Sequence, residues 1–181
     1  MYASTTILNS FIALQPGRNS MGYLKLVYIA QGWSTAFGRP VVADLPSLLE
    51  SGPAHLAAYD AMHLFGPAPI GGPVCARGFT TPMAVPTSDT ATIDLLKEVV
   101  AKYGHLTDIQ LSNHCHREGT PWRNIRNSRA WKARAGGLIH EIEIRDHFSG
   151  LLAEHETTRL AEERSVGRLV AAASTVCTQT V

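Results

Sequence analysis

Gly22 to Phe37 reads GYLKLVYIAQGWSTAF, and between Tyr23 and Trp33 only Lys25 and Gln31 are strongly polar. A helix that is apolar on most sides is normally enclosed by other elements, so this stretch predicts a buried central helix. Both ends are marked. The Ser20 hydroxyl can accept a bond from a first-turn amide, and Gly38 followed by Pro40 supplies a left-handed stop and a breaker.

Two residues inside this run are out of character. Gly32 costs about 1 kcal/mol relative to alanine in a helix interior, so its presence predicts close approach of another backbone. Gln31 carries a buried amide, and leaving such a group unpaired costs roughly 1–3 kcal/mol. We therefore expect Gln31 to clamp a loop backbone from within the fold, with a ligand contact as the alternative.

The chain has 181 residues, 45% hydrophobic and 17% charged, with a net charge of +1, which suits one ordinary core. The opening residues MYASTTILNSFIAL carry no basic leader, and no apolar run approaches the roughly 20 residues that span a bilayer. Neither export nor a membrane is expected. Cys75, Cys115 and Cys177 are odd in number and lack CxxC spacing, which argues against a disulfide framework or zinc ribbon and for a reducing cytoplasm. Charge is unevenly spread. The first 88 residues hold seven charged side chains, whereas Arg117, Arg123, Arg126, Arg129, Lys132 and Arg134 face one acid, Glu118, within 18 residues. Such a segment attracts acidic protein surface or phosphate, or is an ordinary solvated face.

Outward from the central run, Thr5 to Gln15 predicts an amphipathic helix ended by Pro16 and Gly17, with Ile7, Leu8, Phe11, Ile12 and Leu14 at mostly helical intervals. Val41, Val42, Leu48 and Leu49 are extended candidates for at most a small hairpin. Ser51, Gly52 and Pro53 form a turn into a third helix ending at Gly66, whose Leu56, Tyr59, Ala61, Met62, Leu64 and Phe65 supply a buried face. Residues 67–88 hold five prolines and three glycines, predicting a long loop with one short strand near Val74. Loops of this length are commonly functional or disordered. Packing of Phe79, Met83 and Val85, or their docking on a partner, competes with disorder.

Helix resumes over Asp89 to Tyr103. Thr107 and Gln110 make a capping box opening a short helix with Ile109 and Leu111 inward, and Thr120 with Pro121 starts another through Trp122 toward Asn127. A basic loop follows, hinged at Gly136 and Gly137. Leu138 to Phe148 predicts a helix with Ile139, Ile142 and Phe148 near one face, broken at Gly150. A last helix should run from Leu151 to about Ala173 with a frayed tail. The fold class is mainly α: a compact multi-helix domain, residues 1–150, around a buried central helix, with a helical extension over 151–181.

His114, Cys115 and His116 invite a metal or thiolate reading, with His105 and His63 as distant candidates. Spacing opposes it. His114 and His116 lie about 200° apart on a helix, so they cannot share one ion on a face. GxGxxG, GxxxxGK[ST], GxSxG and HExxH are all missing, and Glu141 and Glu143 point to different sides. The reading calls for no catalytic residue, no cofactor and no metal.

LKLVYIAQGW at Leu24–Trp33, GRPVV at Gly38–Val42, SGP at Ser51–Pro53 and HREGTPW at His116–Trp122 occur in an order and spacing that resembles the Panacea antitoxin domain, the phage-associated GepA-like and SocA-like family. The resemblance covers about residues 4–148. It implies a mostly helical, non-catalytic domain that neutralises a toxin by binding it. Gln31, Gly32 and Trp33 fall on the helix motif, Gly52 and Pro53 on the turn, and His116, Pro121 and Trp122 on the late motif, where they shape the fold or meet the partner. The chain departs from the family in its SLLE approach to Ser51 and its longer 67–88 loop. The expected partner is a protein, either a cognate toxin or a host defence protein blocked by a phage-encoded inhibitor; nucleic acid is a weaker alternative.

Overall fold

The computed structural model describes residues 1–154 and 156–159. Among them the architecture is helical. Helices α1 (Ser4–Leu14), α2 (Ser20–Ala36), α3 (Leu56–Met62), α4 (Thr90–Tyr103), α5 (Asp108–Cys115), α6 (Pro121–Arg126) and α7 (Trp131–Arg134) are followed by α8 over residues 141–154. A single 3-10 turn, His63–Phe65, extends α3. The one sheet among the described residues is a two-stranded antiparallel hairpin, β1 (Ser47–Leu49) with β2 (Gly52–Ala54), in the register Leu49 opposite Gly52.

Helix α2 is the centre. Every residue from Gly22 to Thr35 is buried, and α1, α3, α4, α5 and β2 all pack against it. Its start is capped by Asn19, whose side chain accepts from the Gly22 amide at 3.1 Å, rather than by Ser20, whose hydroxyl donates to the Gly66 carbonyl. Gly38 ends it in the left-handed region at φ 69°, as the sequence indicates.

Several expected faces turn out differently, for one geometric reason. Residues two apart on a helix point about 200° apart, so Ile109 and Leu111 cannot both face inward. Leu111 takes the core and Ile109 is exposed. In α8, Ile144 and Phe148 share the buried face and Ile142 is exposed, while Leu138 lies outside the helix, bridged to Ser47. Helix α3 is two turns long, and its core side is filled by Ala58 and Met62, one turn apart. Leu56, Tyr59, Leu64 and Phe65 are consequently exposed rather than buried.

Gly150 does not break α8, because Leu151 and Leu152 continue to pack on the core beyond it. That packing outweighs the roughly 1 kcal/mol that glycine costs in a helix. The expected final helix continues α8 as far as it is described; residues 160–181 of that expectation lie outside the described residues. Val41 and Val42 form no hairpin strand, though Val42 bridges Tyr2. The basic loop after α6 contains the short helix α7.

The 67–88 loop is fastened without a strand. Asn9 on α1 donates from Nδ2 to the carbonyls of Val74 and Met83, both at 2.9 Å, and its Oδ1 accepts from the Val74 amide at 2.8 Å. Ser10 accepts from the Val85 amide at 2.9 Å, and Ile70 pairs with the Arg18 backbone. Side chains thus satisfy backbone groups that proline-rich sequence cannot pair in a ladder. Ile70, Val74 and Val85 are buried as a result.

Candidate functional site

Two separable jobs fall to different residues, and the motif residues do the first, which is structural. The Gln31 side chain donates to the Asp44 carbonyl at 3.3 Å, clamping a loop as expected. Gly32 is met by the ring of Phe148, so the close approach is made by a side chain and not by a backbone. Trp33 donates from its indole to the Tyr103 hydroxyl at 3.0 Å.

Gly52 and Pro53 join the helix motif to the late one. At Gly52, φ is 104°, and a Cβ there would collide with the His116 ring and the Lys25 ammonium. His116 does not bond across the loop before Pro121; Thr120 does that, donating from its hydroxyl to the Arg117 carbonyl at 2.8 Å. Instead the His116 ring lies 4.4 Å from the Trp122 ring, and Trp122 donates to the Leu49 carbonyl at 2.9 Å. Pro121 opens α6 at its first turn.

Lys25, unremarked in the sequence except as a polar exception, is the pin of this junction. It is 2% exposed and donates to the carbonyls of Ser51 (3.0 Å) and Pro53 (3.1 Å). Burial lowers its pKa to about 8, with the neighbouring Cys115 acting the other way. Burial likewise pushes the Cys115 thiol up to about 12, the state of an inert core cysteine rather than a nucleophile. Because the folded pKa of Lys25 lies below its unfolded value, the charged form weakens the fold below pH 8 and that penalty is relieved as pH rises toward the unfolded pKa. Denaturant unfolding at about pH 7.5 and about pH 9.5 should therefore show the stability of the protein rising relative to Lys25→Met by about 2 kcal/mol. An unchanged gap would mean that Lys25 titrates normally.

A second polar junction, around the half-buried Asp44, was not legible in sequence. The Asp44 carboxylate accepts from the Ser4 amide at 2.8 Å and pairs with His55 Nδ1 at 3.3 Å, joining the first turn of α1 to the residue that precedes α3. Burial works against the Asp44 charge, but the bonds with His55 and Ser4 prevail and take its pKa down to about 2. Arg18 was also unforeseen: buried, it reaches Asp108 at 2.7 Å and the carbonyls of Gly104 and Leu106.

The residues singled out for chemistry diverge. His114 lies against the Tyr103 ring, Cys115 points into the core and His116 packs on Trp122. No cluster of three His, Cys, Asp or Glu fit to hold a metal occurs among the described residues. The basic segment is partly neutralised. Arg123 pairs with Glu118, Arg126 with Glu50 while lying over Trp131, and Arg134 with Glu143. Arg117, Arg129 and Lys132 are exposed, with no ion pair among the described residues.

The second job belongs to residues that build no core. Leu64 is 87% exposed, and Tyr59 and Phe65 stand out beside it on α3 and its 3-10 turn. Cys75 and Arg77 of the long loop border Tyr59 and His63 across one surface depression. Two residues further on, Phe79 is 66% exposed and shares a shallow pocket with Met83, 63% exposed. Exposed apolar side chains thus stand on α3 with its 3-10 turn and on the loop, whose backbone is held from behind by Asn9 and Ser10.

No protein-family model, no curated protein and no solved structure matches the chain. No helix among the described residues is long and apolar enough to cross a membrane.

Proposed function

We propose that this chain is a non-catalytic protein-binding module of the antitoxin type, acting in the cytoplasm by covering the working surface of a toxin. The observation supporting it is the set of large apolar side chains left exposed on α3 with its 3-10 turn and on the 67–88 loop. Large apolar side chains gathered on a surface, when the backbone beneath them is firmly fastened, mark a site of protein contact. The ordered motifs of the Panacea-like resemblance supply the antitoxin class, and the unpaired state of the Cys75 and Cys115 thiols suits a reducing compartment.

Coexpression with the product of the adjacent gene tests this. The two proteins should copurify and growth inhibition by the neighbour should be relieved. Leu64→Asp combined with Phe79→Asp should weaken the complex by about 100-fold, since apolar anchors contribute on the order of 1–2 kcal/mol each. Because both residues are exposed, unfolding should be little changed. Neither copurification nor relief would count heavily against the reading.

The exposed Arg117, Arg129 and Lys132 favour one alternative, a phage- or prophage-encoded inhibitor that blocks a host defence complex through an acidic surface. Arg126→Glu with Arg129→Glu separates the two. Loss of binding in that pair, with Leu64→Asp/Phe79→Asp unaffected, would move the contact to the basic segment. Retention on DNA that falls steeply with salt would instead indicate phosphate contact.

A further inference from the structure

Behind α3 lies a set of polar atoms that the fold buries without giving them protein partners. Ser4 Oγ, Gln31 Oε1, Ser47 Oγ and His55 Nε2 have no hydrogen-bond partner, and His55 Nδ1 meets only the Asp44 carboxylate, at 3.3 Å. All belong to residues no more than 3% exposed. They are not scattered. Asp44 touches three of the four residues: its carboxylate meets the Ser4 amide and His55, and its carbonyl receives Gln31. Ser47 stands opposite Ala54 in the hairpin, next in the chain to His55.

An unpaired polar atom in a protein interior costs about 1–3 kcal/mol, so four of them in one place would cancel a large part of the stability of an ordinary domain. Rotating the side chains to face one another is restricted, because the Gln31 amide nitrogen is already committed to Asp44 and the Asp44 carboxylate to Ser4 and His55. The set contains hydroxyls that donate and accept, a carbonyl oxygen that only accepts, and an imidazole offering either role. Water is the guest that satisfies such a mixture. A small cation would find a single carboxylate, already engaged by the Ser4 amide and His55, and an anion would meet the Asp44 charge.

We infer that Ser4, Gln31, Asp44, Ser47 and His55 enclose an internal site for ordered water, which bridges the start of α1, the middle of α2 and the start of α3. At about three hydrogen bonds per buried water, the four atoms, two of them hydroxyls that both donate and accept, call for roughly two molecules. The site backs the helix that carries Leu56 and Tyr59, so it stiffens the contact face from inside. This inference does not depend on the proposed partner.

A high-resolution crystal structure of the full chain, with oxygen-17 relaxation dispersion in solution, tests it. The expected result is density for about two waters within hydrogen-bond reach of Gln31 Oε1, Ser47 Oγ and the His55 ring, and a fall of about two in the count of long-lived waters in Gln31→Leu. Ser47→Ala, a smaller change, should remove about one and guards against failure of the first variant to fold. Direct bonds among these side chains with no intervening density would overturn the inference, as would an unchanged count in a folded variant. Density with the short, regular ligand distances of a bound cation would overturn it too.

Discussion

Gly52→Ala is expected to destabilise the protein by about 3–5 kcal/mol, read as a lowered midpoint of urea unfolding. Two independent effects add. The φ of 104° lies where a side chain is strained, on the order of 1–3 kcal/mol. The new methyl would also enter space held by the His116 ring and the Lys25 ammonium. Neither can retreat cheaply, since His116 is packed on Trp122 and Lys25 is bonded to the carbonyls on both sides of the glycine. Gly71→Ala is the control. It has open space around it and an ordinary backbone, so a change within about 0.5 kcal/mol is expected. Equal effects of the two substitutions would show that the hairpin turn is not the junction described here.

Phe148→Ala should cost a similar 3–5 kcal/mol, the usual range for removing a buried aromatic ring. The ring rests on Gly32 and stands edge-on to Trp33 at 5.4 Å and to Tyr28 at 6.1 Å. It attaches α8 to the central helix, so amide exchange should accelerate over residues 141–154 more than in α1. Gly32→Ala attacks the same contact from the other side and should raise exchange in the same segment. If exchange rises evenly over the whole chain, α8 and the body unfold as one unit and the attachment is not local.

Much of this arrangement is written in local pattern. The unbroken apolar run of α2, the stop at Gly38, the Thr107–Gln110 capping box and the Thr120–Pro121 start all act through neighbours a few residues apart, and all appear as expected. Gln31 too was legible, because an amide amid bulky apolar neighbours needs a partner. Partners were not. Nothing local links Asp44 to His55, Arg18 to Asp108 or Asn9 to Val74, since each pairing is made by tertiary closure over 11, 90 and 65 residues. Lys25 carried a signal that went unused: a single ammonium inside an enclosed helix must be matched by acceptors.

The faces misassigned in α3, α5 and α8 share another cause. Composition counts apolar residues, whereas burial depends on angle, and a two-turn helix has room for only two core residues on a side. For the same reason the apolar face that supports the proposed contact was hidden in the sequence, where Leu56, Tyr59, Leu64 and Phe65 look like core.

The central claim is that a rigid helical body holds α3 and the 67–88 loop out for another protein to grip. Amide exchange of the chain alone and in complex with the adjacent gene product tests it most directly. Protection confined to residues 56–66 and 74–85 is the predicted result. Protection over 117–134 with the α3 and loop amides unchanged would contradict it.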